Sequence, residues 1–137
     1  MKSYISREQD YALRIAAKLG SLKDGDIMSV KELSEKLFIS KSFAARIVHK
    51  LIQKGIALSK QGHQGGIYLI KPAEEINLFQ IIDAIGFKVR FNLCLHSEIN
   101  CELSGFCKFH SFFSQQEAKF FEELKNKKLS DFLIINN

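Results

Sequence analysis

Apolar residues recur at helical spacing in a series of stretches along this chain, each bounded by a capping residue or a glycine. Ser6 and Gln9 form a capping box, and Tyr11, Ala12, Ile15, Ala16 and Leu19 then line one face. A first helix over roughly Arg7–Leu19 follows, with Gly20 as its stop. After the turn Lys23-Asp24-Gly25-Asp26, Ser29 and Glu32 make a second capping box for a short helix that turns Val30, Leu33 and Leu37 inward. Ser40 caps a third helix, ended by Gly55 as a left-handed residue. Its inner rows are Phe43, Ile47, Leu51 and Ala44, Val48, Ile52; Lys41, Ser42, Ala45, Arg46, His49 and Lys50 face outward. Asn77 caps a fourth helix carrying Leu78, Ile81, Ile82 and Ile85, closed by Gly86. A last long stretch places Phe109, Phe112, Phe113, Phe120, Phe121 and Leu124 at helical intervals as far as about Lys127, with Ser114 as a competing cap inside it. Leu129–Leu133 adds one short helical turn.

Between the third and fourth helices the pattern changes. Ile56–Lys60 and Ile67–Lys71 read as two strands around Gln61-Gly62-His63-Gln64-Gly65-Gly66, where three glycines permit positive φ and close backbone approach. Two helices joined by a tight turn, the second amphipathic and followed by a glycine-rich hairpin, predict a winged helix-turn-helix. The expected fold is mainly α with a small β-hairpin wing. It divides into a DNA-binding head (1–86), a cysteine loop (87–107) and a long C-terminal helix with its final turn (108–137). The phenylalanine stripe of that helix is too large for a small lone domain to hide, which predicts a dimer seam against a second copy.

Charge sharpens this reading. The 137-residue chain carries a net charge of +5. Between Val30 and Lys71 there are eight Lys/Arg and two acids, so 8 − 2 = +6, and the remainder is close to neutral. A concentrated basic segment on a helix-turn-helix is the footprint of a phosphate-binding surface. Candidate DNA contacts are Ser40, Lys41, Ser42, Arg46, His49 and Lys50 on the third helix and Gly62, His63, Gln64 and Gly65 on the wing. Glu8 and Asp10 in the first helical turn face solvent or a partner; the plainer reading is that they complement the helix dipole. No apolar run approaches the ~20 residues a membrane span requires, and the start MKSYISREQD lacks the apolar core of a signal peptide. A soluble cytoplasmic protein is expected.

All three cysteines, Cys94, Cys101 and Cys107, fall in one stretch at C-x6-C-x5-C spacing, with His110 three residues beyond. Soft thiolates this close suit zinc or an iron–sulfur cluster, and Gly105 with the turn residues Asn100 and Ser104 lets the loop wrap a small inorganic object. With a helix starting near Cys107, His110 shares a face with that cysteine. The plainer reading is three reduced, unconnected thiols, since an odd count argues against a disulfide framework. No cysteine has a convincing base beside it, so a thiol-dependent enzyme is not expected.

The order of these pieces resembles the winged-helix iron–sulfur transcription regulators of the IscR/NsrR type. The matching runs are Tyr11-Ala12-Leu13-Arg14, Ser29-Val30-Lys31-Glu32-Leu33, Ile39-Ser40-Lys41-Ser42, Gly65-Gly66-Ile67-Tyr68-Leu69, Lys71-Pro72-Ala73-Glu74-Glu75-Ile76 and Leu129-Ser130-Asp131-Phe132-Leu133. The resemblance implies a homodimer on an imperfectly palindromic double-stranded operator, with DNA affinity set by a 2Fe–2S or 4Fe–4S cluster on Cys94, Cys101 and Cys107. His110 matches the histidine that completes the site in the cluster-status regulators. Asp10 matches the acid that, in the nitric-oxide sensors, reaches the partner's cluster, and its place directly before Tyr11 in the matching run favours it as fourth ligand. The alternative is the same fold with structural zinc or no metal, answering another signal. Gln61 stands where the family usually has arginine and Ile67 where an aromatic is usual, so operator preference does not carry over.

Overall fold

The computed structural model describes residues 5–86, 89–92, 94–95, 101–103 and 105–135. Asn100 and Ser104 lie outside them. Helices α1 (Arg7–Gly20), α2 (Val30–Leu37), α3 (Lys41–Gln53), α4 (Leu78–Ala84) and α5 (Lys108–Asn126) appear in that order. Strands β1 (Ala57–Lys60) and β2 (Gly66–Leu69) form an antiparallel hairpin between α3 and α4. Short 3₁₀ turns at Ala73–Glu75 and Leu129–Phe132 complete the described elements. The chain is a winged helix-turn-helix with a long C-terminal helix, as the sequence predicts.

The helix starts are chemically local. Ser6, Ser29 and Asn77 each accept from the backbone N–H three residues on, and Gln9, Glu32 and Gln80 return the bond to the cap's own N–H. These reciprocal bonds satisfy donors that a helix start otherwise leaves open. Ser40 caps α3 by accepting from Phe43 N–H at 3.3 Å, without the return bond, because the residue in that position is phenylalanine. The end of α3 is a Schellman motif: Gly55, at φ +75°, donates to Ile52 and Ile56 donates to Leu51. Gly20 ends the first helix as expected and has a further part. It is the last residue of α1, and a Cβ there would lie 2.8 Å from Leu133 Cδ2 and 3.2 Å from the Ala73 Cβ, so the glycine admits the returning C-terminus.

One core holds the head together. Ala12, Ile15, Ala16, Leu33, Ala44, Ile47, Leu51 and Ile81 are fully buried in it. The wing joins this body through Met28, whose N–H and carbonyl both pair with Ile67 at 3.1 and 2.8 Å. Leu129, 1% exposed, belongs to the same core, and its N–H donates to the Ile76 carbonyl at 2.8 Å. Ile134 N–H donates to Ala17 and the Lys18 ammonium to the Ile134 carbonyl, at 3.3 Å each. The C-terminal segment therefore returns to the first helix. A second, smaller cluster of Ile82, Val89 and Leu124 joins α4 to α5 and takes in Phe79, Phe91, Phe120 and Phe121.

The phenylalanine stripe consequently divides. Phe120 and Phe121 pack within the chain, each with a ring partner at 5.8 Å, on Phe91 and Phe79 respectively. Phe106, Phe109 and Phe112 stay exposed toward the start of α5. Ser114 does not split the helix. His110 and Glu117 on either side of it both engage the segment before the second cysteine, and those anchors favour one continuous α5 over a new start at the serine.

The turn of the helix-turn-helix contains strain. Phe38 adopts a left-handed conformation, φ 56° and ψ 44°, and is 89% exposed. An L-residue there costs ~1–2 kcal/mol, and so exposed a ring recovers little by burial. Phe38→Gly is expected to raise unfolding free energy by ~0.5–1 kcal/mol after the entropic cost of glycine is subtracted. Denaturant melts of the two proteins check it; a loss of stability would show that the ring holds the turn.

Candidate nucleic-acid interface and cysteine site

The helix-turn-helix places the sequence-predicted polar face of α3 on the outside. Lys41, Ser42, Ala45, Arg46 and His49 are exposed, Lys50 is half-buried and Ser40 sits at the cap. On the wing, Gln61, Gly62, His63 and Gln64 are exposed and Gly62 has φ +113°. Gly65 N–H donates to the Gly62 carbonyl at 3.0 Å, and a Cβ on Gly65 would run into the Lys60 carbonyl oxygen. The glycine is needed for the hairpin's own turn, before any contact with a partner.

The cations of α3 are arranged by neighbours. The Arg46 guanidinium lies 4.7 Å from the centroid of Phe43, which meets Tyr11 of α1 edge-on at 5.2 Å. Glu8, also on α1, reaches across to α3 with both carboxylate oxygens. Oε1 accepts from Arg46 Nη2 at 3.0 Å and Oε2 from Lys50 Nζ at 2.8 Å. The hydrogen bond from Lys50 holds the Glu8 carboxyl below its ordinary value. Partial burial opposes this, and the charges of Lys50 and Arg46 reinforce it. A depressed folded pKa means that the ties contribute stability above the unfolded carboxylate pKa. That contribution is lost as pH falls through the depressed value. The sequence left Glu8 facing solvent or a partner, or complementing the helix dipole, and did not point to α3. Its partners lie 38 and 42 residues away, beyond any periodic signal.

In the cysteine region the structure brings two predicted residues together. His110, in the first turn of α5, places Nδ1 3.4 Å from Cys94 Sγ. Cys107 is the N-cap residue of α5, without a side-chain capping bond, so the helix starts where the spacing placed it. All three cysteines are free and half-buried. Among the described residues no three Cys, His, Asp or Glu side chains gather into one metal-sized group. Cys101 and Cys107 stand outside the Cys94–His110 pair. Asp10 pairs instead with Arg14, one turn along α1, at 2.8 Å. The donor types fit a thiophilic metal or cluster, while among the described residues the single chain brings only two of them together.

Glu117 holds the chain that leads to this pair. It is buried on α5 and accepts from Phe91 N–H at 3.0 Å, which fixes the chain three residues before Cys94. His110, Glu117 and Leu124 are spaced by seven and fall on one line of the helix. That spacing was available in the sequence, and an acid on a buried line is the signal that would have singled out Glu117.

Comparison with known proteins agrees with this fold. A family model described as Rrf2, iron-dependent transcriptional regulator, matches residues 5–134. The HTH-type transcriptional regulator NsrR of Oceanobacillus iheyensis is 28% identical over 130 residues, spanning 94% of this chain and 88% of that protein. Among solved structures, CymR, the global cysteine regulator of B. subtilis, superposes with a TM-score of 0.76 at 20% identity, over 96% of each chain. T. potens IscR superposes with a TM-score of 0.75 at 20% identity, over 96% of this chain and 85% of that one. The two superpositions speak for the fold. Among the described residues no helix is long and apolar enough to cross a membrane. A cationic α3 behind a tight turn, a wing fixed to Met28, and a family match that runs from α1 to the returning C-terminus converge: the chain belongs to the Rrf2 family of DNA-binding transcriptional regulators.

Proposed function

We propose that the protein is a cytoplasmic homodimeric regulator whose grip on an imperfectly palindromic operator is set by an iron–sulfur cluster held by Cys94, Cys101 and Cys107. The observation that carries this reading is the approach of His110 Nδ1 to Cys94 Sγ at 3.4 Å. The contact puts a soft thiol and a borderline imidazole, both donors that iron accepts, side by side, and the other two thiols belong to the same short segment. A cluster held there would supply a centre that reacts with oxidants or nitric oxide. The relative named NsrR supports that assignment, and the exposed Phe106, Phe109 and Phe112 give a second copy an apolar surface to cover.

The same distance favours His110 over Asp10 as the fourth ligand within one chain. Asp10 is engaged by Arg14 on its own helix and would have to leave that pair to serve a partner's site. We expect His110→Ala to lose iron and the visible sulfur-to-iron absorption after anaerobic loading, and Asp10→Ala to retain both. Iron and sulfide counts with spectra of the two variants check it. The reverse outcome assigns the ligand to Asp10 and closes the site across the dimer.

A second reading has its own support. The described donors do not form a group of three, and CymR, whose fold this chain shares, is called a cysteine regulator. A regulator of this fold with structural zinc or no metal would remain colourless when loaded with iron and sulfide, and that result would replace the cluster reading.

A further inference from the structure

Among the described residues Glu8 is the one acid paired with the cations of the outer face of α3, and the pairing has a bridging geometry. One carboxylate oxygen holds Arg46 and the other holds Lys50. A DNA phosphate presents the same features: an anion with more than one acceptor oxygen, bound by two neighbouring cations. The cleft beneath is lined by Ser6, Arg7, Phe43, Lys50, Ile85 and Gly86, so the bridge sits where α1, α3 and the end of α4 meet. Arg46 spends one terminal nitrogen on Glu8 and keeps others for a base or phosphate, and the Lys50 ammonium likewise gives one donor to Glu8 from a less exposed side chain.

We propose that Glu8 is a built-in phosphate mimic that competes with DNA for Arg46 and Lys50. The recognition helix then binds DNA less tightly, and with a shallower salt dependence, than its own cations would allow. This rests on the reading that the outer face of α3 meets DNA. The physical basis is counterion release. A cation already neutralised by an internal carboxylate displaces fewer ions from DNA, and each phosphate contact restored adds about 0.9 to the slope of log affinity against log salt.

The test uses the full-length protein and a mixed-sequence DNA duplex, with binding followed by anisotropy across a salt series. Glu8→Gln should tighten binding about fivefold at low salt, the scale of a partly exposed ion pair released, and steepen the salt slope by about 1–2. Glu35→Gln makes the same change of charge at an exposed position on α2 and should give a smaller gain. In the Arg46→Ala/Lys50→Ala background, Glu8→Gln should give no more than the gain of Glu35→Gln. A full gain that persists there, or a gain in the parent no larger than that of Glu35→Gln, would reduce the effect to overall charge and overturn the proposal. Weaker binding by Glu8→Gln would also overturn it, making Glu8 a positioning residue for the two cations. A distinct outcome tests the underlying reading: if removing Arg46 and Lys50 from the Glu8→Gln protein leaves affinity unchanged, α3 does not meet DNA through these side chains.

Discussion

Truncation of Leu129 to alanine lowers the unfolding free energy by ~2–5 kcal/mol, the range for a large aliphatic side chain removed from a packed core. Leu129 is 1% exposed, in a 3₁₀ turn that follows the 19-residue α5, yet it packs in the core of the head. The loss combines transfer of the missing methyl groups with the cavity they leave, because helices on several sides cannot all collapse into it. Backbone bonds from Leu129 to Ile76 and from Ile134 to Ala17 hold the turn in place, so the segment relaxes little. Phe132, three residues on and exposed, provides the comparison: Phe132→Ala is expected to change stability by no more than ~0.5 kcal/mol. Equilibrium denaturation of both variants checks the pair. A Leu129→Ala protein as stable as its parent would mean that the C-terminus does not dock on the head in solution.

Arg46→Ala is expected to weaken operator binding by ~1–3 kcal/mol, with relaxed preference at one base-pair position. Arg46 is exposed on the recognition helix, steadied by the Phe43 ring, and retains free donors beyond the one given to Glu8. A planar guanidinium with paired donors suits the O6 and N7 edge of guanine, which an alanine cannot replace. Lys41→Ala should act differently, weakening binding to all sequences alike and reducing the salt slope by about 1, as expected of a phosphate contact. Both are surface changes and should leave stability nearly unaltered. The measurement is competitive binding on duplexes selected from a random pool by the wild-type protein, with thermal melts alongside. Unchanged affinity and preference for Arg46→Ala would remove that side chain from base readout.

Much of this molecule could be read without coordinates because its signals are short. A capping box spans four residues, a Schellman motif six, and a helix face repeats within a turn, so Ser6, Ser29, Ser40, Asn77 and Gly55 marked their elements correctly. The basic stretch around α3 was equally legible, since charge is a property of the sequence itself. The start of α5 beside Cys107 followed from the same local logic.

Other features depended on what packs against what. Gly20 read as a helix stop and is one, but its further part is to admit Leu133, 113 residues later, and Ser114 looked like a cap until anchors on both sides kept the helix whole. Glu8 read as an acid facing solvent or a partner, or as a dipole complement, and only the packing of α1 on α3 gave it two cations to hold. The cysteine spacing suggested a site, while the meeting of Cys94 with His110 across 16 residues, without Cys101, Cys107 or Asp10 in the same group, belonged to the tertiary structure. By itself the sequence determined the helices, the wing and the charged face, because each arises from contacts within a few residues or from composition. Which apolar rings are covered, which charges are paired and which thiol faces the imidazole were decided only by the tertiary structure, because those contacts join segments whose separation carries no periodic or capping signal.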